Sequence, residues 1–263
     1  MSPEIFQIAL RRRLRLPLPL VPSTCGGGSM AHGCGRHLDR LGDHLAACNR
    51  TGYMARRANP IERAWSRVAR ESGARVAHKQ LLRDTNVPLA NPQDQRQLDM
   101  VAYGITPSGI ALCCDATMVS PLTRDGRPIP RAAAVDGAAL ARAERRKRRT
   151  YPELLGSPYG RLVTLGCEVG GRWNADSLKL VADMAKHKAR GAPRVLRTAA
   201  RAAWHARWWG LLSVACQTAL ATTLSGSGVL ALGGPAGFDD VLLENVLDDA
   251  PGAPVPSRLP LRQ

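Results

Sequence analysis

One 24-residue stretch holds the residue types of a metal site. Cys25, Cys34, His44 and Cys48 follow the spacing Cys-x8-Cys-x9-His-x3-Cys. Three thiolates and one imidazole suit Zn²⁺, which takes four such ligands in a closed tetrahedron when its role is structural. His44 and Cys48 are four residues apart, so a helical turn sets both on one face. His32 and His37 are alternative imidazoles within the stretch. The sequence around these residues is rich in Gly, His and Asp and has too few apolar residues to bury a core. A metal is the obvious staple for such a segment. The chain has seven cysteines, an odd number without the spacing of a disulfide framework, and they read as reduced thiols.

A second chemistry is carried by acids. Asp99 lies in the apolar run QLDMVAY and Asp115 in GIALCCDATMV. A carboxylate inside an apolar strand is costly unless a cation satisfies it. Two such strands side by side could hold Mg²⁺, which takes one or two carboxylates and keeps several waters. That site can set a hydroxide against a phosphodiester. It requires the two carboxylates within about 5 Å of each other, the span of two ligands on one ion. A lysine would complete it, but Thr117 stands two residues after Asp115. Lys147 is the lysine between Lys79 and Lys179, and a helix packed on the sheet could deliver it. Glu62 and Glu168 are further carboxylates, and Glu168 carries more weight because it also sits in an apolar strand.

The elements that would position these groups follow from periodicity. Residues 4–15 read as a short basic amphipathic helix, interrupted by a Pro- and Gly-rich segment. Residues 55–72 read as a helix, with Ile61, Trp65, Val68 and Ala69 on one stripe and Gly73 ending it. Strand-like runs follow at about 75–82, 97–103 and 109–119. A helix is expected over 131–149, a buried strand over 161–169, and helices over 174–189 and 194–223. Trp204, Trp208 and Trp209 in the last helix read as anchors onto the domain rather than a base-stacking platform. From residue 233 the chain is rich in Gly, Pro and Asp and is expected to be disordered. The class is α/β with a hairpin among the first strands, not a regular βαβ alternation.

Charge points to the partner. Lys+Arg is 37 and Asp+Glu is 21, for a formal net charge of +16. The last 26 residues hold five acids and two bases, so residues 1–237 carry +19. A field of that size attracts a polyanion, although a GC-rich coding sequence would also raise Arg, Ala, Gly and Pro together. Arg56, Arg57, Arg145, Arg146, Arg148 and Arg149 cluster on the two helices that flank the acid-bearing strands and are the candidate phosphate contacts. No stretch of about 18 apolar residues is present, and the arginines at 11–13 and 15 break any secretory core, so no membrane partner is expected. Aromatic content is 4%, which disfavours an RNA-binding sheet built on stacking aromatics.

These motifs together resemble a family. Cys34-Gly35, Leu38-Asp39, Gly42-Asp43-His44 and Cys48, followed by Arg50-Thr51-Gly52 and Arg57-Ala58-Asn59, look like the cysteine–histidine knuckle near the carboxy end of site-specific non-LTR retrotransposon polyproteins. In that family the knuckle precedes a restriction-like endonuclease. Gln97-Leu98-Asp99, Asp115-Ala116-Thr117 and Arg146-Lys147-Arg148-Arg149-Thr150-Tyr151 resemble that nuclease, with its lysine displaced. The pattern departs at Leu98, where Pro is usual, and at Thr117, where Lys is usual. The resemblance spans roughly residues 5–190.

It implies a restriction-endonuclease-like core of the PD-(D/E)XK type, ordered α-β-β-β-α-β, with an N-terminal zinc knuckle and C-terminal helices. The implied domains are 1–52 (basic helix and knuckle), 53–192 (nuclease), 193–232 (helical extension) and 233–263 (tail). Structural Zn²⁺ would sit on Cys25, Cys34, His44 and Cys48, and catalytic Mg²⁺ on Asp99 and Asp115, with Lys147 and Glu168 completing the catalytic set. The implied partners are DNA, the element's RNA and a reverse transcriptase that this chain lacks, in the nucleus. Phe238-Asp239-Asp240 looks like a polymerase acidic motif, but no palm domain precedes it. The competing expectation is a non-catalytic, zinc-dependent nucleic-acid-binding module or a decayed element.

Overall fold

The computed structural model describes residues 1–18, 24–26, 34–49, 57–106 and 108–225. The tail expected to be disordered, the Phe238-Asp239-Asp240 motif, Arg56 and His32 lie outside the described residues. The elements are α1 (Pro3–Arg13), α2 (Asp43–Ala47), α3 (Ala58–Ser72), β1 (Arg75–Leu81), β2 (Gln97–Tyr103), β3 (Ala111–Val119), α4 (Ala138–Thr150), β4 (Gly160–Glu168), α5 (Ala175–Ala189) and α6 (Arg197–Ser225). The strands form one mixed sheet in the order β1-β2-β3-β4. The β1–β2 and β2–β3 pairs are antiparallel, while β3 and β4, joined through α4, are parallel.

Local chemistry sets the boundaries. Helix α3 buries Ile61, Trp65, Val68, Ala69 and Ser72, one stripe at helical spacing. It ends at Gly73, whose φ of +104° lets the Ala74 N–H reach back to the Ala69 carbonyl at 3.0 Å. Helix α4 starts at Ala138, seven residues later than periodicity suggested. Residues 131–137 form turns instead, with Arg131 and Gly137 at positive φ.

Side-chain alternation splits the sheet between two apolar clusters. Met100, Ala102, Leu112, Cys114, Val163, Leu165 and Cys167 join the main core with α3, α5 and α6. Val101 and Cys113 point the other way, into a smaller cluster with Leu82, Leu98, Tyr151 and Leu154. Asp115 shares the face of Cys113 by the same alternation.

Helix α6 is 29 residues long, about 44 Å at the helical rise, and it packs against α1, α2, α3 and α5. It therefore holds the amino-terminal unit and the sheet together. Trp208 is fully buried, and its indole N–H donates to Glu71 Oε2 of α3 at 2.9 Å. Trp204 and Trp209 are half-buried, and Trp209 packs on Trp173 with centroids 5.6 Å apart. Trp208→Ala should cost about 3–5 kcal/mol, the range for emptying a large aromatic site. A urea midpoint unchanged from wild type would show that α6 is not the clamp.

Glu71 also accepts both nitrogens of Arg207, at 2.8 and 2.9 Å. Arg207 above all, with Trp208 and Arg67, holds the Glu71 carboxyl down at about 2 against the opposing effect of burial. A depressed carboxyl stabilises the fold above its unfolded value and loses that contribution as pH falls through the folded one. Solvent screening of this partly exposed pair limits the contribution to about 1 kcal/mol. The stability difference between wild type and Arg207→Gln should therefore be full at pH 7 and vanish between about pH 4.5 and 2. Urea melts at both ends of that window measure it, and a difference that persists at pH 2 would contradict the assignment.

Candidate functional site

The cysteine–histidine stretch folds into a metal-capable cluster. The ligand atoms of Cys25, Cys34, His44 and Cys48 all lie within 4.8 Å of one another. Cys25 Sγ and Cys48 Sγ are 3.9 Å apart, and Cys34 Sγ lies 3.2 Å from His44 Nε2. A zinc tetrahedron with Zn–S bonds near 2.3 Å has S–S edges of about 3.8 Å, so the donor set fits the ion in type, number and spacing. Two devices build it. The Cys25 N–H donates to the Arg36 carbonyl at 2.7 Å and the Gly35 N–H to the Cys25 carbonyl at 3.1 Å, closing the long Cys25–Cys34 gap into a pair. Asp39 accepts from the N–H groups of Leu41, Asp43 and His44 at 2.7–3.0 Å, which fixes the turn into α2 and brings His44 and Cys48 onto one side. Burial raises the Asp39 carboxyl, but these donors outweigh it and leave the group below its ordinary value.

His44 is oriented from outside the cluster. Its Nδ1 lies 2.7 Å from the Arg124 carbonyl in the loop after β3. That carbonyl can only accept, so Nδ1 carries the proton and Nε2 keeps its lone pair toward the thiols. His37, the alternative imidazole, is exposed and pairs with Thr24 as an isolated bridge.

The acid pair is set by sheet register. Met100, Val101 and Ala102 pair with Cys114, Cys113 and Leu112. One more step would place Asp99 opposite Asp115, but the ladder stops there. Asp99 Oδ2 instead accepts the Ala116 N–H at 2.8 Å, so the strands open into a notch at the two acids. Lys147 on α4 donates to Asp115 Oδ1 at 2.6 Å. Burial raises the Asp115 carboxyl, Lys147 opposes this, and the Asp99 charge adds to the rise. The Arg96 guanidinium ties the end of α4 to the start of β2: it binds Glu153 at 2.6 Å, Asp94 at 2.5 Å and the Thr150 carbonyl. The Tyr151 hydroxyl donates to the Gln97 carbonyl at 2.8 Å, a second tie at the same end.

Two further groups belong to the notch that sequence reasoning ranked low or passed over. Lys79 Nζ lies 2.9 Å from Asp99 Oδ1 and 2.6 Å from Glu62 Oε2. Its φ is +48°, rare for a side-chain-bearing residue, and the β1–β2 register pairs His78 and Gln80 but skips it. The kink turns Lys79 toward the acids. The Glu62 side chain is 8% exposed, and burial raises its carboxyl. The available signal was Glu62 on the buried stripe of α3, one turn before Trp65 and Ser66.

Two sequence expectations need correcting. Glu168 does not reach the notch. Asp115 is level with Thr164 on β4, and Glu168 is four residues further on, roughly 13 Å along the strand. It sits near Arg172 instead, which in turn binds Asp136 at 2.9 Å. Arg57 is not a surface phosphate contact. It is 3% exposed, and its guanidinium donates to the carbonyls of Ala46 at 2.8 Å and Met118 at 3.0 Å, joining α2 to the end of β3. Arg145, Arg146, Arg148 and Arg149 are exposed on α4, and Arg148 pairs with Glu144 at 2.8 Å.

No helix among the described residues is long and apolar enough to cross a membrane, and none of the seven cysteines forms a disulfide. No family model matches the sequence, and no curated protein matches it.

Proposed function

We propose that this chain is a DNA-binding, Mg²⁺-dependent endonuclease module of a non-LTR-retrotransposon-derived protein, with an amino-terminal unit stapled by zinc. The observation that carries the reading is the opening of the β2–β3 ladder at Asp99 and Asp115, with Lys147 on one acid and Lys79 on the other. An α-β-β-β-α-β order around that notch accords with the resemblance to the PD-(D/E)XK nucleases.

Two hard carboxylates on one notch suit Mg²⁺. Bound there, the ion would supply Lewis-acid polarisation of the phosphodiester and a more acidic water. Asp99 and Asp115 would hold it. Lys147, at 2.6 Å from Asp115, would stabilise negative charge on the phosphate. Lys79 would stay on Glu62 and keep the Asp99 carboxylate aimed. The exposed Arg145, Arg146 and Arg149 on α4 would take the flanking backbone phosphates. Cys25, Cys34, His44 and Cys48 would hold structural zinc, with no position left for substrate.

One observation favours a second reading, a non-catalytic nucleic-acid-binding module. Each acid already has a lysine at ion-pair distance, so the notch is charge-satisfied without a metal. Nicking of supercoiled plasmid in Mg²⁺ separates the two. Nicking by wild type that is lost in Asp115→Asn supports the nuclease. Salt-sensitive DNA binding with no nicking by wild type supports the binding module.

A further inference from the structure

A cavity away from the acid notch combines apolar walls with cations that have no ion-pair partner. It measures about 330 Å³ and lies between the β2–β3 turn and α5. Ile105, Ile110, Leu112, Leu180 and Met184 supply its apolar surface, and Thr106 and Ser108 place hydroxyls in its lining. Arg161, Lys179, Lys186, Arg190 and Asp183 supply the charge, with His187 beside them. Lys179 is neutralised by Asp183 at 2.7 Å. Among the described residues Arg161, Lys186 and Arg190 enter no salt bridge, as is also true of Arg145, Arg146 and Arg149 on α4. A second depression of about 270 Å³ shares Arg161, Lys179, Leu180 and Asp183 and extends along β4 to Arg148.

We propose that this cavity seats one unpaired nucleotide of a single strand, with the base against the apolar wall and its phosphate on Arg161, Lys186 and Arg190. The volume fits a single nucleotide. Proteins hold single strands with cations along the backbone and side chains packed on the bases, and here the packing surface is aliphatic. Arg161 pairs with Leu112 in the β3–β4 register, and Leu112 faces the main core with α5, whereas Asp115 shares the face of Cys113 and meets Lys147 of α4, so the cavity and the notch lie on opposite faces of the sheet. The inference rests on the nucleic-acid reading and adds to it a seat for an unpaired nucleotide.

The test measures affinity of the full chain for a labelled single-stranded oligodeoxynucleotide and for its duplex. The combined Arg161→Gln, Lys186→Gln, Arg190→Gln variant is compared with Arg83→Gln, Arg194→Gln, Arg201→Gln, which removes the same charge from scattered exposed positions. The cavity variant should lose about tenfold or more on the single strand and no more than about threefold on the duplex. The scattered variant should weaken both alike. Equal losses on the two ligands, or a cavity variant no worse than the scattered one, would overturn the seat and leave the nuclease reading standing. A wild type that binds neither ligand at low salt would overturn both.

Discussion

Cys48→Ser should abolish stoichiometric zinc binding and lower the melting temperature by about 10 °C. Serine removes one of four soft ligands, and loss of such a site costs on the order of 3–5 kcal/mol even though zinc contributes more to isolated fingers. For a chain of this size 1 kcal/mol moves the midpoint by about 2–4 °C. The cost does not stay local. The cluster reaches the sheet through His44 and the Arg124 carbonyl, through Arg57 between Ala46 and Met118, and through the Arg36–Asp125 ion pair. Without the metal, Cys25 and Cys48 are buried thiols, and burial pushes Cys25 up to about 11, so zinc must displace a proton to bind. Metal analysis of purified protein and thermal melts with and without chelator check this. Wild type that carries no zinc, and melts at the same temperature in chelator, would remove zinc from the account.

Asp115→Asn should lower plasmid nicking by about a thousandfold while leaving the midpoint of unfolding within about 1 kcal/mol of wild type. The two halves of this prediction have separate causes. The Asp115 side chain is 5% exposed, so its charge costs desolvation, and Lys147 at 2.6 Å roughly offsets that cost. An amide of the same shape removes the buried charge, and Lys147, whose side chain is 21% exposed, keeps water as an alternative partner. Chemistry has no such compensation, because a neutral amide oxygen holds a divalent cation far more weakly than a carboxylate. Asp115→Asn that nicks at the wild-type rate would exclude the notch as the site of chemistry. A large fall in stability would make the substitution uninformative on its own. Asp99→Asn then serves as the second probe, because its side chain is 21% exposed and carries a smaller burial cost.

Much of the fold could be read from residue order. The stripe Ile61, Trp65, Val68 and Ala69 specified α3, and Gly73 ended it. The run QLDMVAY became β2 with the same bounds, because an apolar alternation closed by turn residues leaves little freedom. Helix α4 starts later than the helix propensity of the Ala-rich residues 131–134 suggests, because Gly137 in the left-handed region sets the break. Arg57 was misplaced for a similar reason. Arginine is usually a surface residue, and nothing local announces that two orphan carbonyls, 11 and 61 residues away, will claim it.

What the sequence determined by itself is the chemistry available to this protein: a thiol–imidazole set of the right types, two acids in apolar strands, and a large basic excess. These depend on residue type and short-range spacing, which folding does not alter. Tertiary structure decided which of those groups meet. It brought Lys79 to Asp99 through a kink that no propensity encodes, and it promoted Glu62 over Glu168, because sheet register and helix docking set distances between residues far apart in the chain. It also left Arg161, Lys186 and Arg190 unpaired around one cavity, although the sequence scatters them over thirty residues. Local patterns fix the faces that elements present. Only the packing of those faces fixes what stands opposite.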